Sequence, residues 1–182
     1  MNAILIASMS TPTSATVLYK GVDLKVLGTR LAVGDRMPDV ELTATDLRRI
    51  SLSAYAGKVS LISVVPSLDT GICDAQTRRF NDEARKLGDS VAVITVSADL
   101  PFAQKRWQTE AEAGNVILLS DHARMAFGDA TGTHIEALRL DQRSIFVVDR
   151  SGKVRYVEYV RNFGHHPDYD AAVAVARTLT TE

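Results

Sequence analysis

The run Val59-Ser60-Leu61-Ile62-Ser63-Val64-Val65 constrains this chain more than any other stretch. It is β-branched or apolar at nearly every position, the pattern of a central strand covered on both faces. Pro66 ends it, because proline cannot donate to a strand ladder. Two further runs of the same kind follow, Val91 to Val96 and Val116 to Leu119. Between the first two the period changes. Cys73, Thr77, Phe80, Ala84 and Leu87 fall on one face of a helix, with charged residues filling the other positions. Gly88 stands where a helix C′ residue belongs. Asp99 is placed to cap the next helix, with Pro101 just inside it. Strands alternating with helices imply a parallel core.

The flanks complete the architecture. Val17 to Val26 alternates around Lys20-Gly21 and reads as a β-hairpin. Gly34 to Asp39 is turn-rich, and Val40 to Thr43 reads as a short strand. Arg124 to Phe127 suggests a short helix, and Gly128, Gly132 and Thr133 a loop. Ser144 to Val148 and Val154 to Val160 flank Asp149 to Lys153 as a second hairpin, which adds an antiparallel edge. Pro167 to Leu179 reads as the last helix. The economical solution is an α/β thioredoxin-like fold with an N-terminal β-hairpin extension. Residues 1–15 read as a loose N-terminal extension and residues 16–182 as one domain.

Composition narrows the function. Lys plus Arg is 21 and Asp plus Glu is 22, a balance that argues against a duplex nucleic-acid binder. No apolar stretch approaches the length of a membrane span. The short run Ala3 to Ala7 has no basic residues before it and is too short for a signal peptide, so a cytoplasmic location is expected. His122, His134, His165 and His166 are not spaced as a metal site; the His165-His166 pair reads as a solvated loop. Asp35, Asp39 and Asp46 read as turn and cap residues.

There is one cysteine, Cys73, so no intrachain disulfide and no multi-cysteine metal site can form. Cys73 lies in the first turn of the helix that follows a buried strand. A thiol there sees the positive end of the macrodipole and free backbone N–H groups, which favour the nucleophilic anion. Position alone still favours an inert buried thiol. Thr70 can offer a hydroxyl to the sulfur or cap the helix, and the two roles are compatible.

Pro66-Ser67-Leu68-Asp69-Thr70-Gly71-Ile72-Cys73 resembles the peroxiredoxin pattern Pro-x-x-x-Thr/Ser-x-x-Cys, and more specifically that of the bacterial thiol peroxidase branch. Gly34-Asp35 with Pro38-Asp39, Arg79-Phe80-Asn81, Ser97 to Gln104 and Pro167-Asp168-Tyr169 add separated matches in the right order. The resemblance implies that Cys73 attacks a hydroperoxide oxygen and becomes a sulfenic acid. It implies that Thr70 orients the peroxide and that Pro66 shields the pocket from water. It implies that Arg143, just before Ser144, completes the site. Without the resemblance Arg143 would read as a surface cation paired with Asp141 or Asp149. The family needs no cofactor and no metal, and it commonly forms homodimers.

The chain departs from the pattern at Gln108, which occupies the place of the branch's second, resolving cysteine; Trp107 and Thr109 beside it also differ. Glutamine cannot condense with a sulfenic acid. The expected partners are therefore a hydroperoxide and an external thiol: a low-molecular-weight thiol, a thioredoxin- or glutaredoxin-like protein, or Cys73 of another subunit. The alternative is a peroxide-responsive redox sensor that signals through mixed disulfides with little turnover. Trp107 reads as a core residue, with a subunit contact as the lesser option.

Overall fold

The computed structural model describes residues 15–181. Two strands, β1 (Thr16–Tyr19) and β2 (Val22–Leu27), form the expected hairpin, with Thr16 paired to Lys25 and Tyr19 to Val22. Lys20 (φ 49°) and Gly21 (φ 82°) both take left-handed backbone, the turn that matches the twist of a two-residue hairpin. Of the expected N-terminal extension, only Ala15 lies within the described residues; its carbonyl accepts from Val26 N–H at 2.8 Å.

Next come β3 (Glu41–Ala44) and β4 (Arg49–Ser51), a 3₁₀ turn over Leu52–Tyr55, and β5 (Val59–Val64), buried along its whole length. Helix α1 (Gly71–Leu87), strand β6 (Val91–Ser97), helix α2 (Pro101–Glu110) and strand β7 (Ile117–Ser120) follow. The chain continues through α3 (Ala126–Thr131), β8 (His134–Ile135), β9 (Leu140–Asp141), β10 (Ser144–Val148), β11 (Val154–Tyr159) and α4 (Tyr169–Thr181).

Seven strands make one sheet in the order β11-β10-β5-β6-β7-β3-β4. Its centre, β5-β6-β7, is parallel, and β10 runs antiparallel to β5, as the strand–helix alternation and the late hairpin require. The hairpin β1-β2 joins β8-β9 in a separate four-stranded sheet. Period-2 alternation sends Val59, Leu61, Val91 and Val93 to a core shared with α1, α2 and α4. Ile62, Val64, Ile94 and Val96 go to a second core on the opposite face, with Leu42, Phe127 and Phe146. The mixed α/β thioredoxin-like fold is therefore the observed one.

Three details differ from the sequence expectations. Asp99 does not cap α2: the capping position is Leu100, with no side-chain bond, and the Asp99 carboxylate turns to the loop before α1. The third helix begins at Ala126 rather than Arg124. The cause is Asp121, whose carboxylate accepts from the Phe127 and Gly128 N–H groups at 3.1 and 2.9 Å and starts the helix there. Gly128 thus lies inside a helix rather than a loop. The strands β4, β8 and β9 have no sequence counterpart because two or three residues carry no readable period.

Candidate functional site

Strand β5 runs into Pro66, and the loop that follows delivers Cys73 to the first turn of α1. Pro66 is buried, and Cys73 is fully buried. The Thr70 backbone occupies the capping position of α1, where its carbonyl accepts from Asp74 N–H at 2.9 Å. Its side chain makes no cap bond. Instead Oγ1 lies 2.8 Å from Cys73 Sγ and 3.1 Å from the Ser67 carbonyl.

Arg143 arrives from the other side of the sheet's carboxyl edge. Ser144 pairs with Val64, so the residue before β10 sits just beyond the end of β5. Arg143 is only 1% exposed, which settles its placement: it is not a surface cation paired with Asp141 or Asp149. One terminal nitrogen, Nη2, lies 3.4 Å from Cys73 Sγ and 3.4 Å from the Phe163 carbonyl. The other, Nη1, donates to Gln76 Oε1 at 2.7 Å. The Nε of the same guanidinium is buried and has no partner among the described residues.

Gln76 is the residue that sequence reading missed. It is fully buried, and its amide nitrogen donates to Ser63 Oγ at 2.8 Å, linking α1, β5 and Arg143. The signal was present: position i+3 from Cys73 shares its helix face, and a glutamine on an apolar face needs a buried polar partner. Tyr169 also borders the site, packed edge-on to Phe80 with ring centroids 5.5 Å apart. Burial raises its phenol above the ordinary range; the Arg143 charge opposes that shift and Cys73 adds to it. His166 is exposed, as expected, and lies 2.6 Å from the Tyr169 hydroxyl.

Gln108 lies on α2, half-buried. Its amide nitrogen donates to the Ala113 and Val116 carbonyls, both at 3.0 Å, closing the end of that helix. Trp107, 6% exposed, belongs to the core with Cys73 and Phe80. Among the described residues no His, Cys, Asp and Glu group could hold a metal ion, and no helix is long and apolar enough to cross a membrane.

The arrangement places one sulfur between a hydroxyl and a guanidinium, in a turn with free backbone N–H groups. Such a site can hold negative charge on sulfur and on an oxygen beside it. The redoxin family model matches residues 32–173. A thiol peroxidase of Bacillus subtilis (strain 168) is 50% identical over 165 residues, covering 91% of this chain and 98% of that protein. A thiol peroxidase of Staphylococcus aureus (strain MRSA252) is 47% identical over 163 residues, covering 90% of this chain and 98% of its own. A crystal structure of a peroxiredoxin-like protein from Aquifex aeolicus superposes with a TM-score of 0.84 at 35% identity, over 90% of this chain and 96% of that one. Sequence and fold agree, and the chain belongs to the redoxin family, in its bacterial thiol peroxidase branch.

Proposed function

We propose that this thiol-dependent peroxidase reduces hydrogen peroxide or small organic hydroperoxides through Cys73 alone, with an external thiol completing the cycle. The observation that carries the reading is the convergence of Thr70 Oγ1 and Arg143 Nη2 on one sulfur, at 2.8 and 3.4 Å. The Cys73 thiolate attacks the terminal oxygen of ROOH. A sulfur–oxygen bond forms, the O–O bond breaks, and the departing RO⁻ takes a proton to leave as ROH. Sulfur is oxidised by two electrons to the sulfenic acid, and the peroxide is reduced.

Negative charge moves from sulfur to the leaving oxygen during this step. A guanidinium presents a rigid fork of donors, and that of Arg143 aims one of them, Nη2, at the sulfur. The Thr70 hydroxyl orients the peroxide, and buried Pro66 keeps bulk water from the sulfur. This chemistry calls for no metal or prosthetic group.

Resolution needs a second sulfur from outside, because Gln108 cannot provide one. The incoming thiol sulfur bonds to Cys73 Sγ, the S–O bond breaks, and the hydroxyl leaves as water with the thiol's proton. A second thiol then releases reduced Cys73 and carries away a disulfide. We further propose a cytoplasmic homodimer. The exposure of Leu100 (54%) and Phe102 (66%), at the start of α2 beside the Cys73 loop, supports an apolar subunit contact there.

Intact-mass measurement after one equivalent of peroxide tests the reading. One added oxygen per chain, with matching peroxide loss, is expected. Peroxide loss that persists at the parent rate in Cys73→Ser sinks it. The lone cysteine also supports a sensor reading, in which the mixed disulfide is the output; sustained turnover with any physiological thiol eliminates that alternative.

A further inference from the structure

We propose that a cavity at the amino end of β5, on the sheet face opposite α1, binds a small amphipathic carboxylate, with its apolar body against the sheet and its anionic head between Lys58 and Ser60. The cavity has a volume of about 400 Å³, within the range of small-molecule sites. It is remote from the peroxide chemistry. From Ser60 the strand runs about 15 Å before it reaches Pro66 and the loop that carries Cys73. The floor is apolar: Ile62 and Ile94, which pair across β5 and β6, with Val148 of β10 beside them and Leu52 of the 3₁₀ turn as a wall. Tyr55 and Lys58 line this cavity and also a second hollow of about 430 Å³, which Arg85, Asp89 and Asn115 border. The change from apolar to polar surroundings therefore falls at Tyr55 and Lys58, as an amphipathic ligand requires.

The charges around the cavity select the sign of the head group. Both lining carboxylates already have donors. Asp39 accepts from Ser51 Oγ and from Ser53 N–H, and Asp149 from the Ser151 and Lys153 N–H groups and from Arg155. Of the cations, Arg150 is engaged by the Leu179 and Thr180 carbonyls at the end of α4. Arg36 gives Nη1 to the Ser151 carbonyl at 3.0 Å and keeps its remaining donors. Lys58 has no ion pair or hydrogen bond among the described residues. The unmatched charge is thus positive, and its complement is an anion. Ser60 gives the second observation. It is 7% exposed, on the strand face that otherwise carries Ile62 and Val64, and its hydroxyl has no partner among the described residues. A hydroxyl so deeply placed needs one, and Ser60 lines the cavity. Lys58, Ser60 and Ile62 alternate onto one side of the chain, so a single carboxylate can accept from the ammonium and the hydroxyl while its body lies over Ile62.

The test titrates the full reduced chain with 2-naphthoate and with its uncharged counterpart 2-naphthalenemethanol, and follows the amide resonances by two-dimensional NMR. Naphthoate should bind with a Kd of about 0.1–1 mM, the affinity open to a ligand of this size. Its shifts should centre on Tyr55, Ser60 and Gly152. The alcohol should bind at the same place about five-fold more weakly, the worth of one ion pair near the surface. Lys58→Met, a change at an exposed position, should weaken naphthoate by about that factor and leave the alcohol unchanged, so that the two ligands become equal. Ser60→Leu, which fills the cavity, should abolish the binding of both. Equal affinity of the parent for the acid and the alcohol overturns the proposal, as does undiminished naphthoate binding in Lys58→Met. Shifts confined to the Cys73 loop or to the exposed Leu100 and Phe102 overturn it as well, because they mark a different site. So does the absence of saturable shifts up to about 10 mM naphthoate. Binding read in the reduced protein needs no peroxide, so its outcome is independent of the peroxidase reading.

Discussion

Arg143 Nη2 meets Cys73 Sγ at 3.4 Å across 70 residues of sequence, because the strand that follows Arg143 lies antiparallel to the strand that leads to Cys73. The cation is almost fully buried and held on its other terminal nitrogen by Gln76. A guanidinium that serves three partners at once cannot be replaced by a point charge. Arg143→Lys should therefore lower the second-order rate with hydrogen peroxide by about 10²-fold, the usual cost of one preorganised donor. Stopped-flow kinetics under pseudo-first-order conditions checks it; a rate within a few-fold of the parent would show that charge alone suffices.

Thr70 Oγ1, 2.8 Å from Sγ, can be removed without changing shape. Thr70→Val should slow peroxide reduction by about 10²-fold, while Thr70→Ser, which keeps the hydroxyl, should stay near the parent. The capping role of Thr70 is a backbone one here, so thermal unfolding of both variants should shift little.

Gln76 joins Arg143 to Ser63 in the core. Gln76→Leu leaves a buried cation short of one acceptor, and stability should fall by about 1.5–3 kcal/mol, the range for hydrogen bonds to charged groups. Urea unfolding measures this. The peroxide rate should fall as well, because Arg143 loses the contact that aims it.

Asp141 is a fully buried acid. Its Oδ1 accepts from Thr133 at 2.9 Å and its Oδ2 is buried without a partner among the described residues. Burial, reinforced by the nearby Asp121 carboxylate, pushes Asp141 up to about 8. An unfolded aspartate titrates near 4, so the native state keeps a proton that the unfolded chain has lost between roughly pH 4 and 8. The stability from this group is full below pH 4 and is lost as pH rises through about 8. Thermal scans should show Tm falling across that window. Asp141→Asn should flatten the fall and raise Tm at pH 8, by about 2–4 °C for each kcal/mol of charge burial relieved.

Gly128 packs against the same acid. A Cβ there would lie 2.5 Å from Asp141 Oδ1 and 2.9 Å from His134 Cβ. Gly128→Ala should destabilise the fold by about 1–3 kcal/mol, as overpacking does, with the peroxide rate kept at temperatures where the variant is folded. A neutral effect on Tm would mean that β8 and β9 yield more readily than their bonding suggests.

The central strands and the long helix were legible from the sequence because burial on two faces or on one stripe writes itself into local period: Val59 to Val65 and the Cys73 to Leu87 stripe needed no partner to be read. Cys73, Thr70 and Pro66 were legible for a related reason, since one short segment carries all three. Gln76 and Asp99 belong to a different class, and Arg143 was reached only through the family resemblance. Nothing within a few residues of Arg143 distinguishes a buried cation from a surface one; only the pairing of β10 with β5 brings it to the sulfur. Asp99 looked like a helix cap because its local neighbours fit that role, yet donors on the loop before α1 compete for the same carboxylate and win. Local sequence determines which groups a short segment can present. Where a charge finds its partners is decided by strand pairing and helix packing, because a buried carboxylate or guanidinium must satisfy its bonds with whatever the fold brings within 3–4 Å.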